Sequence, residues 1–205
     1  VDRLKTKYSE RLESNEKNDF EKSLKIIGKQ IKQIENLVNE FSDFARMPKP
    51  IFKNNDLIPL INDNINLIKE LDANIIISFN PEKSEIILNS DSEQLSRVFF
   101  NLIKNAIESI HEKKLKKNTI NGKIDIVLIE NISDIAFSIV DNGLGFGMFL
   151  DNIKNILNPY FTTKEKGTGL GLAIVNKIIN DHNGKIDFIP IKDGAKIIDK
   201  AEDIF

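Results

Sequence analysis

Apolar residues recur at Phe20, Leu24, Ile27, Ile31, Ile34, Val38, Phe41 and Ala45, with spacings that alternate between four and three. That is the a/d seam of a coiled coil or helix bundle. An ordinary amphipathic helix lying on a core shows a broader, less regular stripe, so the pattern predicts a bundle helix over residues 20–45. Leu4, Tyr8 and Leu12 mark the end of a preceding helix within residues 1–14, and Asn15 to Asp19 reads as the turn between the two. At Met47-Pro48-Lys49-Pro50 two prolines remove backbone donors and push their predecessors out of helical space. The chain therefore divides into a helical region, 1–47, and a second region, 48–205.

In the second region the periodicity changes. Leu57 to Leu71 is helical, whereas Asn74 to Asn80 and Glu85 to Asn89 are short and isoleucine-rich, like strands. A long helix starts at Asp91, with Ser92 as its cap candidate, and runs through Asn101 and Asn105 to about His111. The charged stretch His111 to Gly122 reads as a solvated loop. Lys123 to Glu130 and Asp134 to Val140 alternate as two strands joined by a turn at Asn131 to Ser133. A helix over Met148 to Leu157, another from Leu170 to about Asp181, and a strand from Lys185 to Ile189 complete the set. Helices alternating with hairpin-connected strands predict an α+β fold: a two-layer sandwich with helices on one face of a mixed sheet.

Composition narrows the function. A formal net charge of -2, with no broad basic stripe, argues against nucleic acid as a partner. The absence of cysteine removes disulfides, thiolate metal sites and cysteine nucleophiles together. No apolar run approaches the ~18 residues of a membrane span, and Val1 to Lys5 lacks the core of a signal peptide. The expectation is a soluble, cytoplasmic piece of a longer protein, without membrane contact of its own.

Four stretches carry candidate chemistry. In "KGTGLGLAIV", Gly167, Gly169 and Gly171 alternate before an apolar helix. A dinucleotide fingerprint needs G-x-G-x-x-G directly after a strand, and a Walker A loop ends in Gly-Lys-Ser/Thr; neither is present. What remains is a phosphate cradle of another type, its amides aimed at an anion from a helix N-terminus. In "DNGLGFG", a strand delivers Asp141 ahead of Gly143, Gly145 and Gly147; a carboxylate there can accept from an exocyclic amine, and the other reading, a calcium-binding turn, would need several further acids where only Asp151 follows. Asn101 and Asn105 stand one turn apart on a helix, so both amides face one side and can bind magnesium and phosphate oxygens. In "PYFTTK", Phe161 and Lys164 fit two readings, a hinged lid with Lys164 reaching phosphate or an ordinary aromatic core contact beside a solvated lysine.

These four blocks, in this order, resemble the ATP-binding domain of sensor histidine kinases, within the superfamily that includes gyrase, the heat-shock chaperone ATPases and mismatch-repair MutL. "NLIKNAIESI" is similar to the N box, "DNGLGFG" to the G1 box, "PYFTTK" to the F box and "GTGLGL" to the G2 box. The likeness runs from about Asp56 to Phe188 and implies a Bergerat ATP-binding fold. It implies that Asn105 ligates magnesium, Asp141 holds the adenine amine, and Asn101 lies near the phosphates. Gly143, Gly145, Gly147, Phe161, Thr162, Thr163, Lys164, Gly167, Thr168, Gly169, Leu170 and Gly171 would line the ATP pocket and its lid. "IENLVNEFSDFARMPKP" resembles the second hairpin helix and exit of NtrY-like nitrogen-sensing kinases, which makes residues 1–47 part of a dimerisation and phosphotransfer hairpin.

One position separates the subfamilies. Hydrolytic relatives carry a water-activating glutamate four residues before the magnesium asparagine, and Asn101 stands there here. An amide is no general base at neutral pH, so the resemblance implies transfer of the ATP γ-phosphoryl group to a histidine outside this chain and then to a response-regulator aspartate. Glu108, one turn beyond Asn105, reads as a surface residue rather than a replacement base. His111 and His182, the only histidines, read as structural, so this chain is expected not to autophosphorylate. The implied partners are a second copy and a receiver domain, and the implied full-length protein is membrane-anchored. The alternatives are a hydrolytic ATPase of the same superfamily, an anti-sigma-type serine kinase, or a non-catalytic ATP-binding scaffold. "GAKIIDKAEDIF" turns acidic after Ile198, which predicts a shortened or altered last strand.

Overall fold

The computed structural model describes residues 3, 6, 8, 14–116, 120–131, 134–145, 155–162, 164, 167–191 and 194–202. They fall into two compact units: Val1–Met47 with Thr163–Thr168, and Pro48–Thr162 with Gly169–Phe205. Among the described residues no helix is long and apolar enough to cross a membrane.

The first unit is built on helix α1, Ser14–Ala45. Asn15 to Asp19, expected as a turn, is helical instead. That stretch contains no glycine or proline to break a helix, and Glu16 in the first turn suits the positive end of the helix dipole. Along α1 the seam residues Ile27, Ile31, Ile34, Val38 and Phe41 are exposed.

The second unit starts with β1, Lys53–Asp56, followed by α2, Leu57–Leu71. Asp56 caps α2 by accepting from the Ile58 amide at 3.1 Å, and the same oxygen accepts from the Ile86 amide at 3.1 Å. Strands β2, Ile76–Phe79, and β3, Ile87–Ser90, precede the long helix α3, Ser92–Lys116. The cap of α3 is Asp91 rather than Ser92: the Asp91 carboxylate accepts from the amides of Glu93 and Gln94, both at 3.0 Å. The helix also runs past His111 into the stretch expected as a loop. Lys113, Lys114 and Lys116 in its last turn favour the negative helix end.

Strands β4, Lys123–Glu130, and β5, Asp134–Asp141, lie where alternation placed them. Of the helix expected over 148–157, residues 148–154 lie outside the described residues, and 155–157 form a single 3-10 turn. Helix α4, Gly171–Asp181, leads to β6, Lys185–Ile191, and β7, Gly194–Glu202. The last strand is therefore not shortened. It lies between β5 and β6, paired antiparallel with both, so its backbone is satisfied on both edges whatever the charge of its side chains.

The five-stranded sheet has the order β2-β4-β5-β7-β6, with β2 parallel to β4 and every other pair antiparallel; β1 and β3 form a separate two-stranded ribbon. Helix α3 lies against β4 and β5, α4 against β6, and α2 and α4 flank α3. This is the expected two-layer α+β sandwich with a mixed sheet. Leu95, Val98, Phe99, Leu102, Ile103 and Ile110 of α3 bury against Ile124, Ile126, Ile135, Phe137 and Ile139. The Phe99 and Phe137 rings lie 4.7 Å apart, tilted by 51°. His182, buried at the end of α4, donates from Nδ1 to the Ile178 carbonyl (2.8 Å) and accepts at Nε2 from the Asp91 amide (3.0 Å). Both ring nitrogens are thus engaged in pinning the end of α4 to the start of α3.

Candidate nucleotide site

Helix periodicity leaves Asn101, Asn105, Ser109 and Lys113 as a polar row along α3, four residues apart, beside the buried apolar face. The Asn101 side-chain amide donates to the Arg97 carbonyl at 2.8 Å. Its Oδ1 stands 3.2 Å from where a Cβ on Gly171 would be, so the first residue of α4 fits against Asn101 only as glycine or after a small shift. The capping position of α4 is Leu170, fully buried and without a side-chain cap. An apolar cap leaves the positive end of a helix available to an anion. Asn105 is half-buried between the two ends of the row.

Asp141 enters from the sheet. In β5 the buried residues alternate, so Asp141 continues the helix-facing series Ile135, Phe137 and Ile139 and is only 6% exposed. Strand parity places this carboxylate in the core layer against α3, and one of its oxygens accepts the Gly143 amide at 2.8 Å. A Cβ on Gly143 would stand 2.3 Å from Ser109 Oγ and 2.7 Å from Asp141 Oδ1. The next amide, of Leu144, donates to Ser109 Oγ at 3.0 Å and lies 3.3 Å from the Ser109 carbonyl.

Asn142 is held from three sides. Its Oδ1 accepts from the Lys123 amide, its Nδ2 donates to the Asn121 carbonyl, and its own carbonyl accepts from Lys113 Nζ, each at 2.8 Å. Gly145, at φ +70°, and Gly194 interlock with this loop: a Cβ on Gly194 would stand 1.7 Å from the Asp141 carbonyl oxygen.

A third contact joins the PYFTTK and GTGLGL stretches. The Tyr160 amide donates to the Gly169 carbonyl at 3.1 Å, and Gly169, at φ +70°, lies too close to Tyr160 and Phe161 for any side chain. Tyr160 itself has φ 67°, a left-handed conformation rare outside glycine. Phe161 is half-buried and Thr162 exposed.

The second unit thus brings together Asn101 with Gly171, Asp141 with Gly143 and Gly145, and Gly169 with Phe161, with Asn105 and Leu170 on the same elements. Lys164, Gly167 and Thr168 belong to the first unit. There the Gly167 amide donates to the Lys164 carbonyl at 3.1 Å, and the Thr168 hydroxyl donates to Glu40. Gly147 and Thr163 lie outside the described residues. Ser109, Lys113, Asn142 and Gly194 were not singled out from sequence. The first two share the row of Asn101 and Asn105, and that spacing was the available signal.

Among the described residues no group of three or more His, Cys, Asp or Glu could hold a metal ion. Two carboxylates at the ends of helices are tuned. Burial pushes Asp91 up, but the amides of Ile51, Gln94 and Glu93 outweigh it and hold its pKa below the ordinary 3.8. Asp72 is likewise lowered, chiefly by the Asn74 amide, against burial and with help from His111, whose Nε2 lies 2.5 Å away. Neither is part of the site: Asp91 caps α3, which carries Asn101 and Asn105, while Asp72 closes α2 and meets His111 of α3.

Residues 90–199 match the family of histidine kinase-, DNA gyrase B- and HSP90-like ATPases. Over 203 residues the chain is 36% identical to an NtrY-like sensor histidine kinase of Rickettsia prowazekii, aligning 99% of this chain with 32% of that protein. Over 195 residues it is 32% identical to the nitrogen regulation protein NtrY of Azorhizobium caulinodans, covering 95% of this chain and 24% of that one. Among solved structures it is similar to the nucleotide-free catalytic domain of the histidine kinase ThkA, with a TM-score of 0.65 and 29% identity over 75% of this chain and 96% of that one. The chain spans about a third or less of these two curated relatives.

Proposed function

This chain belongs to the family of histidine kinase-, DNA gyrase B- and HSP90-like ATPases and carries the ATP-binding transmitter region of a sensor histidine kinase, and from that premise we propose that it serves phosphoryl transfer to protein rather than hydrolysis. The observation that carries this reading is Asn101: its amide stands against Gly171 at the start of α4 and donates to its own helix, where a hydrolytic site needs a base to activate water. The reaction then rests on positioning and charge stabilisation. Asp141 accepts from the adenine amine, and the N-terminus of α4 with Gly169, Leu170 and Gly171 receives the phosphates. Lys164, Gly167 and Thr168 act as the lid. Asn105 would hold magnesium, which supplies neutralisation of phosphate charge when bound.

In this reading residues 1–47 belong to a dimerisation and phosphotransfer hairpin and residues 48–205 form the ATP-binding domain. The exposed a/d seam of α1 is the dimer contact, a histidine beyond this chain is the acceptor, and a response-regulator aspartate is the next carrier. The full-length protein is anchored in the cell membrane with this part in the cytoplasm. The test is to incubate the chain with γ-labelled ATP, magnesium and a histidine-bearing hairpin segment supplied in trans. Acid-labile label on the histidine is expected. Multiple-turnover release of inorganic phosphate without phosphohistidine would overturn the transfer reading.

A further inference from the structure

We propose that Ser109 is a positioning residue for the base end of the nucleotide pocket, setting the direction of the Asp141 carboxylate and with it the preference for a purine that carries an amine rather than a carbonyl. This rests on the adenine-nucleotide reading above. A carboxylate selects an amine donor only if its direction is fixed, because a swinging carboxylate and a bridging water together also accommodate a carbonyl.

Asp141 has one oxygen fixed by the Gly143 amide at 2.8 Å. Gly143 is in turn pressed against Ser109 so closely that no side chain fits between them. The following amide, of Leu144, ends on the Ser109 hydroxyl at 3.0 Å. One turn further along α3, Lys113 Nζ holds the Asn142 carbonyl at 2.8 Å. The backbone of residues 142–144 is therefore gripped from α3 by two side chains, Ser109 and Lys113. Eight residues separate Asn101 from Ser109, roughly 12 Å along the helix axis. One rigid helix thereby sets both ends of the pocket: Asn101 beside Gly171, and Ser109 beneath the Asp141 loop.

Removing the hydroxyl leaves the Leu144 amide with only the longer approach, 3.3 Å, to the Ser109 carbonyl. The experiment measures Kd for ATP and for inosine triphosphate, which replaces the purine amine by a carbonyl, on the parent chain, Ser109→Ala, Ser109→Thr and Asp141→Asn, with thermal melting of each. Ser109→Ala is expected to bind ATP roughly fivefold more weakly and to lose the same factor in its ATP-to-inosine-triphosphate ratio while melting near the parent. Ser109→Thr, which keeps the hydroxyl, is expected to retain the ratio within about twofold.

A parent-like ratio in a folded Ser109→Ala overturns the proposal while leaving the nucleotide reading intact. Should Ser109→Ala fail to fold, Lys113→Met removes the other grip on the loop and must lower the ratio; an unchanged ratio there overturns it equally. No ATP binding by the parent would instead fail the nucleotide reading itself.

Discussion

At the scale of single residues, the site is a set of close approaches that forbid side chains. Gly194 is the sharpest case, since a Cβ there would stand 1.7 Å from the Asp141 carbonyl oxygen. Gly194→Ala must shift either β7 or the loop after Asp141. We expect a loss of about 1–3 kcal/mol, by analogy with overpacked cores, together with weaker ATP binding, read by denaturant unfolding and nucleotide titration; unchanged stability would show that the interlock yields freely. Asp141 was legible in the sequence because an acid ending an alternating strand is conspicuous, and parity then decides which face it takes. Ser109 was not legible, because a serine on a helix carries no sign that a backbone amide 35 residues later will end on it. The left-handed Tyr160 was invisible for the same reason: its conformation follows from the approach of Gly169, not from its own neighbours in sequence.

At the scale of elements, the periodic segments were readable and their ends were not. Helix α3 was found by its apolar face, but its cap and its last turn were misread. An aspartate followed by a serine offers two cap candidates, and only the amides of Glu93 and Gln94 on Asp91 decide between them. The lysine run reads as solvated loop unless the helix dipole is counted. β1, with the polar sequence KNND, gave no strand signal, since its pairing with β3 comes from tertiary contact. Asp91 carries a prediction of its own. Its pKa is lowered in the folded chain, so its charge contributes stability above the unfolded value, and that contribution is lost as pH falls through the folded pKa. Asp91→Ala is expected to cost about 1 kcal/mol near neutrality. Asp91→Asn, which keeps a capping oxygen without the charge, is expected to flatten the fall in stability below about pH 4. Thermal melting across that range checks both, and an acid profile of Asp91→Asn identical to the parent would remove the charge from the account.

At the scale of the whole molecule, the sandwich answers to its sequence pattern because local periodicity, strand alternation and core burial agree. The final strand is the exception. Its acidic tail suggested truncation, yet β7 pairs on both sides through Glu202, and central placement in a sheet is not written in the strand itself. The heptad seam of α1 leaves Ile31 and Ile34 exposed in the single chain at 53% and 61%, which the proposed dimer contact would cover. Ile31→Asp with Ile34→Asp is expected to shift the chain from dimer to monomer in sedimentation velocity without reducing nucleotide affinity; a parent already monomeric at the same concentration would contradict the dimer reading. The central claim is tested most directly by titrating ATP, with and without magnesium, into the parent chain and into Asp141→Asn. Saturable binding by the parent, strengthened by magnesium and weakened at least about tenfold by Asp141→Asn as a charged acceptor is lost, is the predicted result. No binding by a folded parent, or equal binding by the two chains, would contradict it.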